Sequence, residues 1–337
     1  LNNVALSGND ATQNGAAIYN RKRTLASGAV VGRGIVNLDG TTFANNNTTG
    51  AGGAIYNDTD ALLNLAGTNS FTGNTANGVA NDIYNAGSLN IASGTTTIDG
   101  GIDGTGTLTI ADGATLNIGT ASVTQDTIAL NGTMLATVRD GDAQITANNA
   151  FDGTGVLRLS FAGEGAYNVF GGKIFNNLDV ESAVYDLNWD GGVLNVSKKS
   201  VADIAADNNL TSETAVAVSN LVDSSSEKLN DLAVAMQEKL ATRNETDKKE
   251  VEHAAAAIHP ETESVVQSVS SSVQSTVTSL ASGRMSMPTI GRNGGDVKMT
   301  SGGVWVNGIF NKSKQNDAFN GYTRGFAAGL DGTLNKV

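Results

Sequence analysis

The stretch GGAIYN, residues 52–57, is written again with small changes at two other places in the chain. GAAIYN occupies 15–20 and ANDIYN occupies 80–85. Each copy places an apolar–aromatic pair and an asparagine in a background rich in Gly and Asn. A pattern that returns in this way indicates a structural repeat.

Each hexapeptide closes a longer unit of fixed internal length. The units cover 6–20, 43–57 and 71–85, and each begins with an apolar residue 13 positions before its tyrosine. Because this offset is kept while the linkers vary, we take it as the length of the repeat unit of one rung. The repeat residues are Leu6, Tyr19, Phe43, Ile55, Tyr56, Phe71, Ile83 and Tyr84.

Short strands of this kind cannot bury their apolar faces alone, but stacked coils allow each Phe or Leu to lie on its counterpart above and below. Asn suits the corners because it tolerates left-handed φ, and Gly permits the close approach of successive rungs. We therefore predict a mainly β chain that folds as a right-handed parallel β-helix, or solenoid.

The β-helix is predicted to cover 1–148 and to end in a cap over 149–199. From 87 to about 135, apolar residues alternate with Thr, Asn and Ser between Gly-containing turns, which predicts further strands. Residues 150–197 carry larger apolar groups, and YDLNWDGGVLNV (185–196) reads as a hairpin. A bulkier, better-packed end is what the last rung of a solenoid needs.

The period then changes from strand-like to helical. From Ser200 to about Gly283 there is almost no Gly, and apolar residues recur at helical intervals, which predicts an α-helical linker or hairpin over 200–263. A narrow apolar stripe follows in a Ser-, Thr- and Gln-rich background, and it predicts a weak helix over 264–286 that needs a polar enclosure. Its residues are Val269, Val273, Val277 and Leu280.

Residues 287–337 end the chain with a linker and two strand-length segments, about 303–310 and 319–332, around a polar loop. Their lengths suit strands of a membrane barrel. Trp305, Phe310 and Tyr322 are the aromatic residues that we assign to the start of this barrel.

The net charge of −12 and the pI near 4.5 argue against nucleic acid as a partner, because no stripe of cations is present to neutralise phosphates. Arg21, Lys22 and Arg23 form one short basic cluster, which we interpret as a solvated loop. The absence of cysteine excludes disulfides and thiolate catalysis. No apolar run is long enough for a transmembrane helix.

The order of these parts resembles the classical autotransporter, or type V secretion, proteins of the Gram-negative outer membrane. SVVQSVSSSVQSTVTSLASGRMS (264–286) is similar to their pore-spanning helix, and GGVWVNGIFNKSKQNDAFNGYTRGFAAGLDGTL (302–334) is similar to their first barrel hairpin. GGAIYN resembles the repeats of polymorphic outer-membrane proteins and related adhesins. The hairpin at 185–196 is similar to the end of an autochaperone region.

This resemblance implies a β-helical passenger displayed at the cell surface, an adhesin-like binding surface, and localisation in the outer membrane. The implied partners are outer-membrane lipid, the barrel-assembly machinery and a host-cell or cell–cell adhesion target. Because the chain begins at Leu1 and stops at Val337, we expect a fragment with a truncated barrel. The pore-helix segment contains no Asn–Asn pair, so self-cleavage is not expected.

No constellation of residues predicts catalysis, a metal or a cofactor. His253 and His259 are six residues apart, whereas a helix that binds zinc usually offers a pair at i, i+4. Asp99, Asp103 and Asp112 lie at or next to Asp-Gly turns rather than in a marked carboxylate pair. We predict that the chain is not an enzyme. The alternative left open is a barrel-anchored, β-helical carbohydrate-active enzyme.

Overall fold

The structure is a computed structural model that describes residues 1–139, 144–173, 178–224, 226–258, 297–299, 302–315 and 319–332. It divides into two compact units, Leu1–Ala255 and Ala256–Val337. The predicted pore-spanning helix, with Val269, Val273, Val277 and Leu280, lies outside the described residues.

The first unit is mainly β, with long parallel sheets, as the repeat predicted. Its first sheet has eight strands, each paired in parallel with the next. In sheet order they are Ala5–Ser7 (β1), Thr42–Ala44 (β7), Thr68–Thr72 (β11), Thr95–Ile98 (β16), Thr115–Gly119 (β19), Thr133–Val138 (β21), Val156–Phe161 (β23) and Asp179–Glu181 (β25).

The second sheet has ten strands and forms from two columns that join. One column contains Ile18–Asn20 (β3), Ile55–Asn57 (β9), Ile83–Asn85 (β14) and Ile102–Asp103 (β17). The other contains Ile35–Asp39 (β6), Leu62–Ala66 (β10), Ser88–Ile91 (β15) and Thr107–Ile110 (β18). Both columns pair with the long strand Val123–Leu130 (β20), which also pairs with Ile145–Asp152 (β22).

Two smaller sheets complete the stacked region. A four-stranded sheet contains Asp10–Ala11 (β2), Asn47–Thr48 (β8), Thr75–Ala76 (β12) and Val79–Ala80 (β13). Arg23–Thr24 (β4) pairs with Val30–Gly32 (β5) in a separate antiparallel hairpin.

The chain visits these sheets in the same order on successive passes, which we call coils, and this arrangement is β-helix-like. Equivalent residues of the repeat are register partners on adjacent strands. Phe43 pairs with Phe71, and Tyr56 pairs with both Tyr19 and Tyr84. Neighbouring coils are offset by 37 residues at the first step and 28 at the second. The 13-residue offset therefore spans only part of a coil and is not the length of a whole coil.

The core is a column of apolar side chains that lie on one another along the stack. Phe43 and Phe71 are fully buried, with ring centroids 4.6 Å apart and planes 6° from parallel. Burial of one such side chain contributes roughly 1.5–3 kcal/mol. Repeated on each coil, this packing stabilises strands that are too short to persist alone.

The backbone conformation and packing require glycine at the first two positions of GGAIYN. Gly52 has φ +71°, a left-handed conformation in which a side chain is strained. Gly53 has a different reason: a Cβ there would lie 2.3 Å from the Asn81 carbonyl oxygen and 2.6 Å from the Thr75 nitrogen. Because both obstacles are backbone atoms of the next coil, a side chain would push the coils apart.

The stack ends in an antiparallel cap. It consists of Gly165–Tyr167 (β24), Tyr185–Asp190 (β26) and Val193–Lys198 (β27). The predicted hairpin is present, and both residues of its turn, Gly191 and Gly192, have positive φ, as a tight two-residue turn requires. Parallel pairing continues to β25, beyond the predicted boundary at 149, before the cap closes the stack.

Within the described residues, four helices follow the cap, in agreement with the helical period of the sequence. They are Val201–Asn208 (α1), Ser212–Val222 (α2), Glu227–Ala241 (α3) and Glu245–Ile258 (α4). Ser200 and Thr211 accept bonds from backbone N–H groups at the first turns of α1 and α2, which satisfies donors that a helix start leaves free. Among the described residues, no helix is both long and apolar enough to cross a membrane.

Helix α3 packs back onto β21 and β23 instead of extending away from the stack. The Gln237 side chain is buried and forms two bonds with one residue of β23. Its Oε1 accepts from the Phe161 N–H at 3.1 Å, and its Nε2 donates to the Phe161 carbonyl at 2.9 Å. Asn230, two turns earlier on the same face of α3, donates to the Ala162 carbonyl at 2.7 Å. These amides replace the pairing that another coil would supply.

The second unit contains an antiparallel sheet of Val297–Met299 (β28), Gly302–Gln315 (β29) and Phe319–Gly332 (β30). The two long strands have 14 residues each. Strand β29 continues into the segment predicted as loop. Trp305 and Phe310 lie in β29 opposite Gly329 and Arg324, and Tyr322 lies in β30 opposite Lys312.

Candidate binding surface

The asparagine of each IYN triplet points into the stack, because side chains alternate between the two faces of a strand. Asn20, Asn57 and Asn85 are buried, on the same face as the isoleucine two positions before them. Each Nδ2 donates to the Oδ1 of the next coil, at 2.8 Å and then 2.7 Å, and Asn85 donates to Gln125 Oε1 at 2.6 Å. We call this row the inner amide ladder. The sequence prediction had placed these asparagines at corners.

Corner asparagines are present at other positions. Asn45 and Asn77 both have φ of 53°, the left-handed conformation that the sequence predicted for Asn at the corners.

A second ladder of amides, buried from Asn46 onward, ends on a carboxylate. Asn9 Nδ2 donates to Asn46 Oδ1, Asn46 to Asn74 and Asn74 to Asp82 Oδ1, at 2.7, 2.8 and 2.7 Å. The other oxygen, Asp82 Oδ2, accepts from the Gly100 N–H at 2.7 Å. Asp82 occupies the repeat position of Ala17 and Ala54, and its side chain accepts from two donors. Burial raises its pKa to about 6, although both hydrogen bonds oppose that shift.

The tyrosine of each triplet points outward and forms a stack on the outer face. The Tyr56 and Tyr84 rings lie 5.1 Å apart and 4° from parallel, and the Tyr19 ring lies 5.1 Å from Tyr56 at 52°. The Arg21 guanidinium carbon lies 5.9 Å from the Tyr19 centroid. Partial burial, followed by the nearby Asp58 carboxylate, raises the Tyr56 pKa. Because the faces of Tyr56 are covered by its neighbours, its ring is not a free stacking platform.

A groove of about 720 Å³ lies along the coil corners that follow the tyrosines. We call it the corner groove. Its polar side chains come from separate coils and from the residues that flank the β4–β5 hairpin. They are Lys22, Arg33, Thr59, Asp60, Ser88, Thr105 and Thr107.

The rest of the outward face carries rows of polar side chains that run from coil to coil. Asn64 Nδ2 donates to Asn37 Oδ1 at 2.8 Å, and Asn90 to Asn64 at 3.4 Å. Ser88, Thr107 and Thr127 are register partners on successive coils. Such rows present hydrogen-bonding groups at the strand spacing of roughly 4.8 Å.

The other predicted residues have simpler surroundings. Asp99 accepts from the Gly73 N–H with both oxygens at 3.2 Å, and Asp103 accepts from the Gly104 N–H at 2.8 Å. Both carboxylates are thus held by turn backbone. His253 is exposed on α4, and His259 lies outside the described residues. Within the described part of the chain, no group of three His, Cys, Asp or Glu side chains is placed to hold a metal.

The structure gathers the eight repeat residues into two columns. Leu6, Phe43 and Phe71 share the first sheet, while Ile55, Ile83 and the three tyrosines share the second. The corner groove was not predicted. A signal for it exists in the sequence, because the only basic cluster falls in the insertion that lengthens the first step from 28 to 37 residues.

Comparison of the chain with protein-family models, with curated proteins and with solved structures gives no match.

Proposed function

We propose that the chain is part of an autotransporter of the outer membrane. In this proposal, the coils form a right-handed parallel β-helix that is displayed at the cell surface, and β29 and β30 begin the membrane barrel. Residues 264–286 would cross the barrel as a helix. The passenger is a binding surface of the adhesin type and not an enzyme.

The observation that carries the proposal is the order of the parts. Stacked parallel coils are closed at their C-terminal end by an antiparallel cap, and an antiparallel hairpin of two 14-residue strands follows later in the chain. A membrane-spanning β-strand needs about 9–11 residues, so these strands are long enough. The sequence resemblance over 264–286 and 302–334 supports the same reading.

The cap suggests how transport could gain direction. A coil gains its hydrogen bonds and core contacts only when it stacks on one already formed. A cap that forms first outside the cell would serve as the template, and each added coil would make return through the pore less favourable.

A binding role is favoured over catalysis because the outward face offers rows of amides and hydroxyls, whereas Asp99 and Asp103 are engaged by turn backbone. Glycoside hydrolysis requires two carboxylates that face a substrate across a bond. Asp99→Asn combined with Asp103→Asn would abolish any polysaccharide cleavage under the enzyme alternative.

The test of the proposal is the surface exposure of residues 1–139 on intact cells that make the full-length protein. We expect exposure in the unaltered protein and its loss when residues 264–283 are deleted, with the barrel still inserted in the membrane. Undiminished exposure of the deletion variant would refute the assignment of the pore-spanning helix.

A further inference from the structure

The insertion between the first two coils brings positive charge to one place on an acidic protein. Arg21, Lys22, Arg23 and Arg33 lie within it, and no Asp or Glu occurs from Ala11 to Leu38, although the net charge of the chain is −12. This segment of sequence is therefore basic within an acidic chain.

Two of these cations lie over the corner groove. Arg33 Nη2 donates to Ser88 Oγ at 3.1 Å, across 55 residues of sequence. Lys22 Nζ forms an ion pair with Asp60 Oδ2 at 2.7 Å, and both side chains remain partly exposed to water. The hydrogen bond from Lys22 lowers the Asp60 pKa. Arg33 thus lies against the Ser88 hydroxyl, and Lys22 lies against the Asp60 carboxylate, which an anionic group of a ligand can replace.

The floor of the groove is backbone. Gly87 and Gly106 line the groove without side chains, because a Cβ at either position would lie 2.4 Å from a carbonyl oxygen of an adjacent coil. Ser88, Thr105 and Thr107 edge this floor with hydroxyls. Of the described residues that line the groove, Ala86 alone is aliphatic. A ligand in the groove therefore meets cations, hydroxyls and peptide groups, but no apolar pocket.

We propose that the corner groove binds an anionic polysaccharide, a chain of sugars bearing carboxylate or sulfate groups. Lys22 and Arg33 pair with the anionic groups, and the hydroxyl and peptide groups bond the sugar hydroxyls. The lining residues come from successive coils, so a chain that runs along the stack meets them in turn. This proposal rests on the binding role proposed above and names the class of its partner.

Other anionic partners fit the groove less well. Single-stranded nucleic acid needs aromatic faces on which bases stack, and none of the described residues that line the groove is aromatic. A flat bilayer does not reach the floor of a groove. The hairpin does expose Leu25 and Val31, 45% and 50% of whose surface is open, so lipid enters the test as a competing outcome.

The test measures binding of the full chain to heparin and to polygalacturonate, with neutral dextran as the uncharged comparison. We expect binding to both anionic polymers that weakens with rising salt, and none to dextran. Lys22→Gln combined with Arg33→Gln should weaken binding by about tenfold, as the loss of two exposed charge contacts predicts. Asp60→Asn should strengthen binding, since it frees Lys22 from its intramolecular partner.

The matched control is Lys228→Gln combined with Lys249→Gln, which removes the same charge from exposed positions on α3 and α4. An equal loss of binding in this control, or no binding to either anionic polymer, would overturn the proposal. Groove-dependent binding to phosphatidylglycerol vesicles or duplex DNA but not to the polysaccharides would also overturn it. Surface exposure of residues 1–139 is measured separately, so failure here leaves the display proposal standing.

Discussion

The asparagine that closes each IYN triplet has a buried role that its residue type alone does not indicate. Asn57 accepts from Asn20, and it donates to Asn85 and to the Ser88 carbonyl at 3.1 Å. Asn85 and Gln125 bond in the same direction, so from Asn57 onward each amide of the inner amide ladder uses both its oxygen and its nitrogen. A buried polar row of this kind is stable only while every member is present.

Asn57→Ala should therefore destabilise the first unit by about 2–4 kcal/mol, because it leaves a cavity and removes the donor that Asn85 and Ser88 use. Denaturant unfolding gives the free energy. The control is Asn64→Ala in the outward row, where water can replace the lost partner and we expect a change within about 0.5 kcal/mol. Equal losses in the two variants would show that the inner amide ladder contributes no more than the outer row.

Asp82 makes the stability depend on pH. Its pKa is about 6 in the folded chain and 3.8 ordinarily, so the folded state holds the proton more tightly. The resulting stabilisation is fully present below about pH 4 and is lost as the pH rises through about 6, a change on the order of 2–3 kcal/mol. Above about pH 6 the buried Asp82 carboxylate is charged, and the free-energy cost of removing this charge from water lowers the stability of the folded state.

Asp82→Asn removes this dependence, but it places an NH₂ group against either the Asn74 amide or the Gly100 N–H, both of which are donors. We expect the variant to be less stable than the parent near pH 4 and the difference to narrow as the pH rises to about 7. Unfolding curves across this range measure the difference. A difference that stays constant or widens would contradict the assignment.

Much of the residue pattern was readable in the sequence. The recurrence of the hexapeptides predicted the stacking of Phe43 on Phe71, because equivalent residues of a repeat become neighbours. The ladder asparagine was misplaced because turn propensity was weighed above strand alternation: Asn57, two positions after the buried Ile55, shares its face. Gln125 gives no such signal, since it lies outside the aligned units.

At the scale of elements, helix α3 covers the end of β23 beyond Arg158, where β25 no longer pairs with it and backbone groups would be left unpaired. Leu135, Thr137 and Ser160 are buried there, although an outward position on a strand is usually exposed. Thr137 Oγ1 donates to Glu238 at 2.6 Å, next to the Gln237 contacts. An open edge of this kind invites pairing with another chain, and the helix prevents it.

Gln237→Leu should expose this edge, because Phe161 loses the partners of both its N–H and its C=O. We expect amide exchange at Phe161 to quicken by about tenfold or more and the free energy of unfolding to fall by about 2 kcal/mol. Lys228→Leu places the same side chain on the exposed face of the helix and serves as the control. Unchanged exchange at Phe161 would show that the amide does not replace strand pairing.

The helical period predicted that helices follow Ser200, but it did not predict where they pack. One signal was available in β21, where Met134, Leu135 and Ala136 place apolar side chains on both faces of the strand. This pattern indicates a strand that is covered on both faces. The lengths of the coils were not readable either. Strands of two to five residues separated by variable turns fix a register only once their neighbours are in place.

At the scale of the whole molecule, one end of the stack is closed and its long outer surface is polar. The cap and the helices cover the C-terminal coils, while the first coil leaves β1, β3 and β6 as the last strands of their sheets. The rows of amides and hydroxyls and the corner groove all lie on the outside. The function proposed above requires this arrangement, a stack with one closed end from which folding starts and a polar outer surface.

Surface display is measured most sharply with single cysteines, because the chain contains none of its own. Thr107 is exposed and the adjacent Leu108 is fully buried in the same strand, so Thr107→Cys and Leu108→Cys form a matched pair. With a membrane-impermeant maleimide on intact cells, we expect Thr107→Cys to be labelled and Leu108→Cys to react only after denaturation. Labelling of Thr107→Cys only after cell lysis would contradict display at the cell surface.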